Sequence, residues 1–101
     1  MTRLILRELA LQDLQDIKDR YRAGGETALT RFTRRMSDTF DRLKAYPRSS
    51  RLVEGREEVR RASLKPLPYS IFYVYRDQTV HILRILHTAQ SPQSWPSDGG
   101  A

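Results

Sequence analysis

Apolar residues in the first half of the chain mostly recur at the spacing of an α-helix. Residues 3–8 come first, with a short alternation that predicts a β-strand. Two stripes with steps of three or four residues then predict two amphipathic helices: Ala10, Leu14, Ile17 and Tyr21, followed by Leu29, Phe32, Met36, Phe40 and Leu43. We expect Gly24-Gly25 to end the first helix with a left-handed residue, and Pro47 to stop the second because it has no backbone N–H.

The second half of the chain changes to the period of two that is typical of β-strands. In residues 58–65, Ala62 and Leu64 alternate with polar side chains, and Pro66 and Pro68 then bracket a turn. Residues 69–75 are rich in aromatic and β-branched side chains, which favours a strand. We expect residues 76–78 to form a hairpin turn.

Residues 79–87 are the most apolar run, which predicts a central strand that is buried on both faces. The polar segment 48–51 and Gly55 are expected in a surface loop ahead of the sheet. Residues from about 89 are predicted to be an irregular tail, with Trp95 as its anchor.

These elements predict one α+β domain over residues 1–101 in the order β-α-α-β-β-β. An N-terminal strand precedes an antiparallel two-helix hairpin, and a three-stranded antiparallel meander follows. The first strand is expected to join the meander, and the two helices to cover one face of the resulting sheet.

Composition narrows the class of protein without defining its function. The 101 residues are 39% hydrophobic and 30% charged. Because the chain has no cysteine and only two histidines, His81 and His87, we predict neither a metal site nor a cofactor. No segment is typical of a signal peptide or a transmembrane helix, so we expect a cytoplasmic protein. The net charge of +6 favours a polyanion or an acidic protein as partner.

Several segments, in this order and at this length, resemble the ParE/RelE toxin superfamily. The first lies in the second helix and the loop after it, and consists of Arg31-Phe32, Asp38 to Phe40, Leu43 and Tyr46-Pro47. The second consists of Arg60-Arg61 and the segment 67–73. The last is the segment 82–87, followed by Ser91-Pro92 and Trp95. The ending is similar to that of the ParE branch. The resemblance spans residues 3–95 and implies a toxin that a cognate antitoxin holds inactive in a hetero-oligomer.

The resemblance implies two alternative targets. ParE-type toxins inhibit DNA gyrase by direct binding, whereas RelE-type toxins cut messenger RNA on the ribosome. An inert relative or a plain binding module is a third reading that the sequence leaves open. In each toxin reading we expect an acidic antitoxin segment to lie in the groove between the helical hairpin and the sheet edge.

Metal-free RNA cleavage needs a general base, a general acid and cations around the phosphate. The residues of this chain that resemble such a set are Arg61, Lys65, Arg84 and His87. Arg84 and His87 are three residues apart and should face opposite sides of an unbulged strand, which counts against one compact site. Residues 69–75 contain no arginine and no tyrosine follows Tyr75, so the gyrase reading is preferred.

A protein inhibitor needs only an exposed surface, and our candidates for partner contact are Arg61, Tyr73, Arg84 and Trp95. Structural roles compete with functional ones at several positions. Arg84 is equally compatible with an ion pair to an acidic helix residue, and His87 with a hydrogen bond to backbone. The basic residues Arg31, Arg34, Arg35 and Arg42 are typical of a solvated helix face, with Asp38 expected to pair with Arg42.

Overall fold

The computed structural model describes residues 1–90, which form two helices packed on one five-stranded sheet. The elements follow one another along the chain as β1 (Arg3–Leu6), α1 (Glu8–Ala23), α2 (Glu26–Ala45), β2 (Arg51–Leu52), β3 (Arg60–Ser63), β4 (Tyr69–Arg76) and β5 (Thr79–His87). The predicted α+β class and element order are confirmed, with one additional strand. The predicted irregular tail, Trp95 included, lies almost entirely outside the described residues.

Spatial order in the sheet is β1-β5-β4-β3-β2. Strands β3, β4 and β5 form the antiparallel meander, while β1 pairs with β5 in parallel, so that Arg3 lies opposite Thr79 and Leu6 opposite Ile82. The sheet is therefore mixed. The parallel pairing requires a long crossover, which the helical hairpin provides.

The helices bury the stripes that the sequence predicts. Ala10 and Ile17 of α1 and Phe32, Met36 and Leu43 of α2 pack in one cluster with the helix-facing side chains of the sheet. No helix in the described part of the chain is both long and apolar enough to cross a membrane.

The link between the helices differs in detail from the predicted left-handed C-cap. Gly24, which follows α1, has an ordinary φ of −86°, and its N–H bonds to the carbonyl of Tyr21. Gly25 has a φ of 108° and stands immediately before α2. The conformation that requires glycine is therefore at the start of the second helix rather than at the end of the first.

Two expectations about the strands were wrong. Arg51, which was expected in the surface loop, instead belongs with Leu52 to the short edge strand β2, since Arg51 pairs with Arg61 and Leu52 with Arg60. The strand that is buried on both faces is β4, whose residues 69–74 are all buried, whereas β5 is only partly buried at His81, Leu83 and Arg84. The reason is position: β4 lies in the middle of the sheet, while the four-residue β1 covers only part of β5.

A bulge in the pairing of β4 with β5 changes which residues share a face. Phe72 lies opposite Arg84, but the next residue, Tyr73, lies opposite Ile82, so Leu83 is the extra residue. Ile82 and Ile85 therefore both reach the helix-facing cluster although they are three residues apart. The other face of the sheet carries a second cluster formed by Val59, Phe72, Val74 and Leu86.

Candidate partner-binding surface

Arg84 is held in an ion pair with Asp13 of α1. Its Nε lies 2.8 Å from Asp13 Oδ2 and its Nη2 lies 3.0 Å from Oδ1, and the two side chains are only 19% and 14% exposed. Such a two-point contact is the strong form of an arginine–carboxylate pair. The ion pair with an acidic helix residue, which the sequence allowed, is thus present.

Asp13 also closes an open edge of the sheet. Strand β1 ends at Leu6, opposite Ile82, and beyond that point no strand within residues 1–90 neighbours β5 on this side. The Oδ2 atom of Asp13 accepts the backbone N–H of Ile85 at 2.9 Å. One carboxylate therefore satisfies both a strand-edge donor and a guanidinium group.

Arg61, Phe72 and Arg84 lie in one row across three strands. Arg61 pairs in register with Phe72, and Phe72 with Arg84, so the Cα atoms of the two arginines are about 10 Å apart across two strand spacings. Arg61 is exposed, and its Nε donates to Ser70 Oγ at 3.1 Å. Two of the predicted site residues therefore share a row, one of them already paired with a carboxylate.

Lys65 lies outside that row, because β3 ends at Ser63 and Lys65 is the first residue of the turn that leads to β4. Its side chain is exposed, and its backbone N–H donates to Ser63 Oγ at 3.1 Å. The strand alternation that would give Arg61 and Lys65 a common face does not extend to Lys65.

His87 ends β5 and makes backbone contacts. Its Nδ1 accepts the N–H of Ala89 at 3.1 Å, and its own N–H donates to Gln90 Oε1 at 3.0 Å. The Nδ1 atom is therefore already engaged with the backbone. His87 pairs with Tyr69 of the helix-facing cluster, whereas Arg84 pairs with Phe72 of the other cluster, so the two residues lie on opposite faces as expected.

An aromatic cluster at the same end of the sheet was not recognised from the sequence. Tyr21 stacks on Phe32 with ring centroids 4.9 Å apart, and Tyr69 lies 6.3 Å from Tyr21 and 5.5 Å edge-on to His87. Arg20 donates to the Tyr69 hydroxyl at 3.3 Å. Burial, and secondarily the neighbouring Tyr69, raise the pKa of Tyr21, so its hydroxyl remains protonated at neutral pH. Tyr21 and Phe32 were visible only as members of two separate helical stripes.

Tyr73, one of the predicted partner contacts, lies in the core. It has no exposed surface, and its hydroxyl donates to the carbonyl of Pro47 at 2.8 Å. The register shift at Phe72/Tyr73 leaves Tyr73 opposite Ile82, inside the helix-facing cluster. Trp95, the remaining predicted contact, lies outside the described residues.

Comparison with known proteins identifies the fold and then the family. The chain is similar in structure to the chromosomal ParDE toxin–antitoxin system from P. aeruginosa, with a TM-score of 0.73, 24% identity, and 86% of this chain and 96% of that one covered. It is also similar to the isolated E. coli RelE toxin, with a TM-score of 0.60, 17% identity, and 92% and 90% covered. The fold is thus that of the RelE/ParE toxins.

The family model of the ParE toxin of the type II toxin–antitoxin system parDE matches residues 4–92. This chain belongs to that family. None of the curated proteins matches it significantly in sequence.

Proposed function

We propose that this chain is the toxin of a type II toxin–antitoxin pair and that it inhibits DNA gyrase by binding to it directly. Membership of the ParE family implies a cognate antitoxin as partner in a hetero-oligomer. Our proposal adds two points to family membership, namely that the target is gyrase and that the protein acts in the cytoplasm.

The proposal rests on the positions and bonding partners of the four side chains that RNA cleavage would need. Arg84 is bound to Asp13, the Nδ1 of His87 accepts a backbone N–H, and Lys65 is in a turn beyond the end of β3. His87 also lies on the opposite face of the sheet from the row that contains Arg61. Acid–base chemistry requires such groups to converge on one reacting phosphate, whereas inhibition by binding requires no such cluster.

The β2 edge of the sheet is the site that we propose for the antitoxin. Tyr46, which follows α2, is 66% exposed, and Leu52 in β2 is 54% exposed, although both are large and apolar. Arg51 is also exposed in this two-residue strand. An acidic segment with apolar side chains would bury the exposed Leu52 and Tyr46 while its carboxylates meet the cation.

Exchange of Leu52 for aspartate tests that antitoxin site. We expect Leu52→Asp to weaken the complex with the antitoxin by at least tenfold in a calorimetric titration. Leu11→Asp is the matched control, because Leu11 is similarly exposed at 49% but belongs to α1. Equal affinities of the two variants would place the antitoxin elsewhere.

Induced expression in a bacterial host tests the target. A DNA-damage reporter and the rate of protein synthesis are followed together in the first minutes after induction. Gyrase inhibition predicts an early damage response while translation continues, followed by loss of supercoiling activity with purified gyrase. Immediate translation arrest without DNA damage would overturn the proposal and favour the ribonuclease, with Arg61, Lys65, Arg84 and His87 as the residues to vary.

A further inference from the structure

Positive charge is concentrated at the end of the molecule where the two helices join. Residues 18–35 contain six lysines and arginines and two carboxylates, a net charge of +4 out of +6 for the whole chain. The antiparallel hairpin brings the end of α1 and the start of α2 together at this end, where Tyr21 stacks on Phe32. The charge is therefore local rather than spread over the surface.

Three of these cations lie together on α2, are exposed and make no ion pair within residues 1–90. Arg22 is paired with Asp19 at 2.7 Å, and Arg20 is bonded to Tyr69. In contrast, Arg31, Arg34 and Arg35 on α2 are exposed and make no ion pair with any described residue.

Asp38, which was expected to pair with Arg42 and so reduce this charge, makes no ion pair within the same part of the chain. The salt bridge near the end of α2 instead joins Lys44 to Asp41, at 3.7 Å. The exposed face of α2 thus retains its arginine charge.

Two exposed threonine hydroxyls lie among these cations. Thr27 and Thr30 occupy the first turns of α2, and together with Glu26, Arg31 and Arg34 they line an open depression among the described residues. We call Thr27, Thr30, Arg31, Arg34 and Arg35 the hairpin-end surface. Guanidinium groups and hydroxyls are the donors that typically contact phosphate oxygens.

The hairpin-end surface has no large apolar side chain that a protein partner would bury. The exposed large hydrophobic residues of the described chain are Met1, Ile5, Leu11, Tyr46 and Leu52, and none of them belongs to residues 18–35. The centre of a protein interface is depleted in charge and enriched in aromatic and apolar side chains. Binding to a phosphate backbone needs only cations, because its free energy comes largely from the release of counterions.

We propose that the hairpin-end surface binds the phosphate backbone of a nucleic acid, without sequence preference and without gyrase or antitoxin. The three arginines lie within five residues, so they span at most about 6 Å along the helix axis. Each of the three guanidinium groups can contact one phosphate, so we expect about three phosphates to be neutralised. The proposal goes beyond inhibition of gyrase, since it assigns nucleic-acid contact to the toxin itself.

Fluorescence anisotropy with the purified full-length chain tests the proposal. The probes are a random-sequence 20-base-pair DNA duplex and a 20-nucleotide single-stranded RNA, each titrated at salt concentrations from 50 to 200 mM. The variant is Arg31→Glu with Arg34→Glu. The control is Arg42→Glu with Lys44→Glu, which makes the same change of net charge on exposed positions of the same helix. Circular dichroism establishes that both variants are folded.

We expect the unmodified chain to bind the duplex, with an association constant K that falls as salt is added. The slope of log K against log salt concentration should be about −3, because each neutralised phosphate contributes about −0.9. Arg31→Glu with Arg34→Glu should weaken binding at least tenfold at 50 mM salt and reduce the magnitude of the slope by about 2. The control pair should retain the slope. Preference for the duplex or for the RNA identifies which nucleic acid the surface contacts.

Three results would overturn the proposal. The first is that the chain does not bind either probe at 50 mM salt. The second is that the two double variants lose affinity equally. The third is that a polyglutamate peptide displaces the labelled probe as effectively as unlabelled DNA of equal charge. The last result would assign the surface to an acidic protein. Inhibition of gyrase is measured separately by supercoiling, so a failure here leaves the proposed function in place.

Discussion

The carboxylate of Asp13 accepts hydrogen bonds from both the guanidinium of Arg84 and the backbone N–H of Ile85. It thereby joins the first helix to a strand that is 71 residues away in sequence. We expect Asp13→Ala to lower the free energy of unfolding by about 2–3 kcal/mol, because it leaves a mostly buried cation and a strand-edge donor without their acceptor. Urea denaturation measures this loss.

Asp16→Ala is the matched control for that substitution, because Asp16 is an exposed carboxylate on the same helix. Its effect should remain within about 0.5 kcal/mol. A loss below 1 kcal/mol for Asp13→Ala would mean that water replaces the carboxylate at little cost.

The two glycines between the helices should respond differently to alanine. Gly25 has a φ of 108° and a ψ of 165°, a conformation that is almost restricted to glycine, so Gly25→Ala should cost about 1–3 kcal/mol. Gly24 has an ordinary φ, and an added Cβ would lie 3.4 Å from the carbonyl oxygen of Tyr21, so Gly24→Ala should change stability by less than about 0.5 kcal/mol. Thermal unfolding of both variants tests the contrast, and a larger loss for Gly24→Ala would contradict it.

Removal of the Tyr73 hydroxyl should destabilise the protein without altering its packing. In Tyr73→Phe the carbonyl of Pro47 loses its donor, at a cost of about 1 kcal/mol. Tyr75→Phe serves as control, because the Tyr75 hydroxyl makes no hydrogen bond within the described chain and its ring keeps the contact with Arg48, 5.2 Å from the ring centroid. Equal midpoints of urea denaturation for the two variants would show that the bond to Pro47 contributes nothing net.

Acidification should weaken the fold partly through His81. Burial, together with the nearby Arg7 and Arg76 and against the opposing effect of Asp77, lowers the pKa of His81. The unfolded chain therefore binds the proton more readily than the folded one, so the free energy of unfolding falls as pH drops through about 6.5 towards the folded pKa.

Denaturation curves between pH 8 and pH 5.5 measure this dependence, above the range in which most carboxylates titrate. In His81→Gln the slope of stability against pH should be smaller than in the unmodified protein. Since burial is the largest cause, 0.5 M salt should remove only a minor part of the effect. An unchanged slope in His81→Gln would assign the pH dependence to other groups.

The strands and helices could be predicted where the alternation of apolar and polar side chains keeps one period over several residues. Phe32, Met36 and Leu43 indicate the buried face of α2 because a helix of 20 residues repeats its pattern many times. Strand β2 could not be found in this way, since its two residues are both exposed and present no alternation. Its existence depends on pairing with β3, which is a tertiary interaction.

The candidate site was harder to predict because its geometry depends on partners that are distant in sequence. Arg84 and His87 are three residues apart, an odd number, and this spacing correctly predicted that they lie on opposite faces of the sheet. The prediction holds because the bulge at Leu83 precedes both residues, so the alternation between them is regular. The same bulge determines that Arg84 shares a row with Arg61, and no local pattern indicates it. The role of Asp13 follows only from the early end of β1, which exposes the edge of β5 at that point.

The parallel pairing of β1 with β5 also affects when the protein can fold. Arg3 meets Thr79 across the sheet, so β1 must wait for β5, which the ribosome makes more than 70 residues later. Contacts between such distant parts of a chain require closure of a long loop and slow the folding reaction. During synthesis the sheet cannot be completed until residues 79–82 have left the ribosome, and up to that moment β1 lacks the strand with which it pairs.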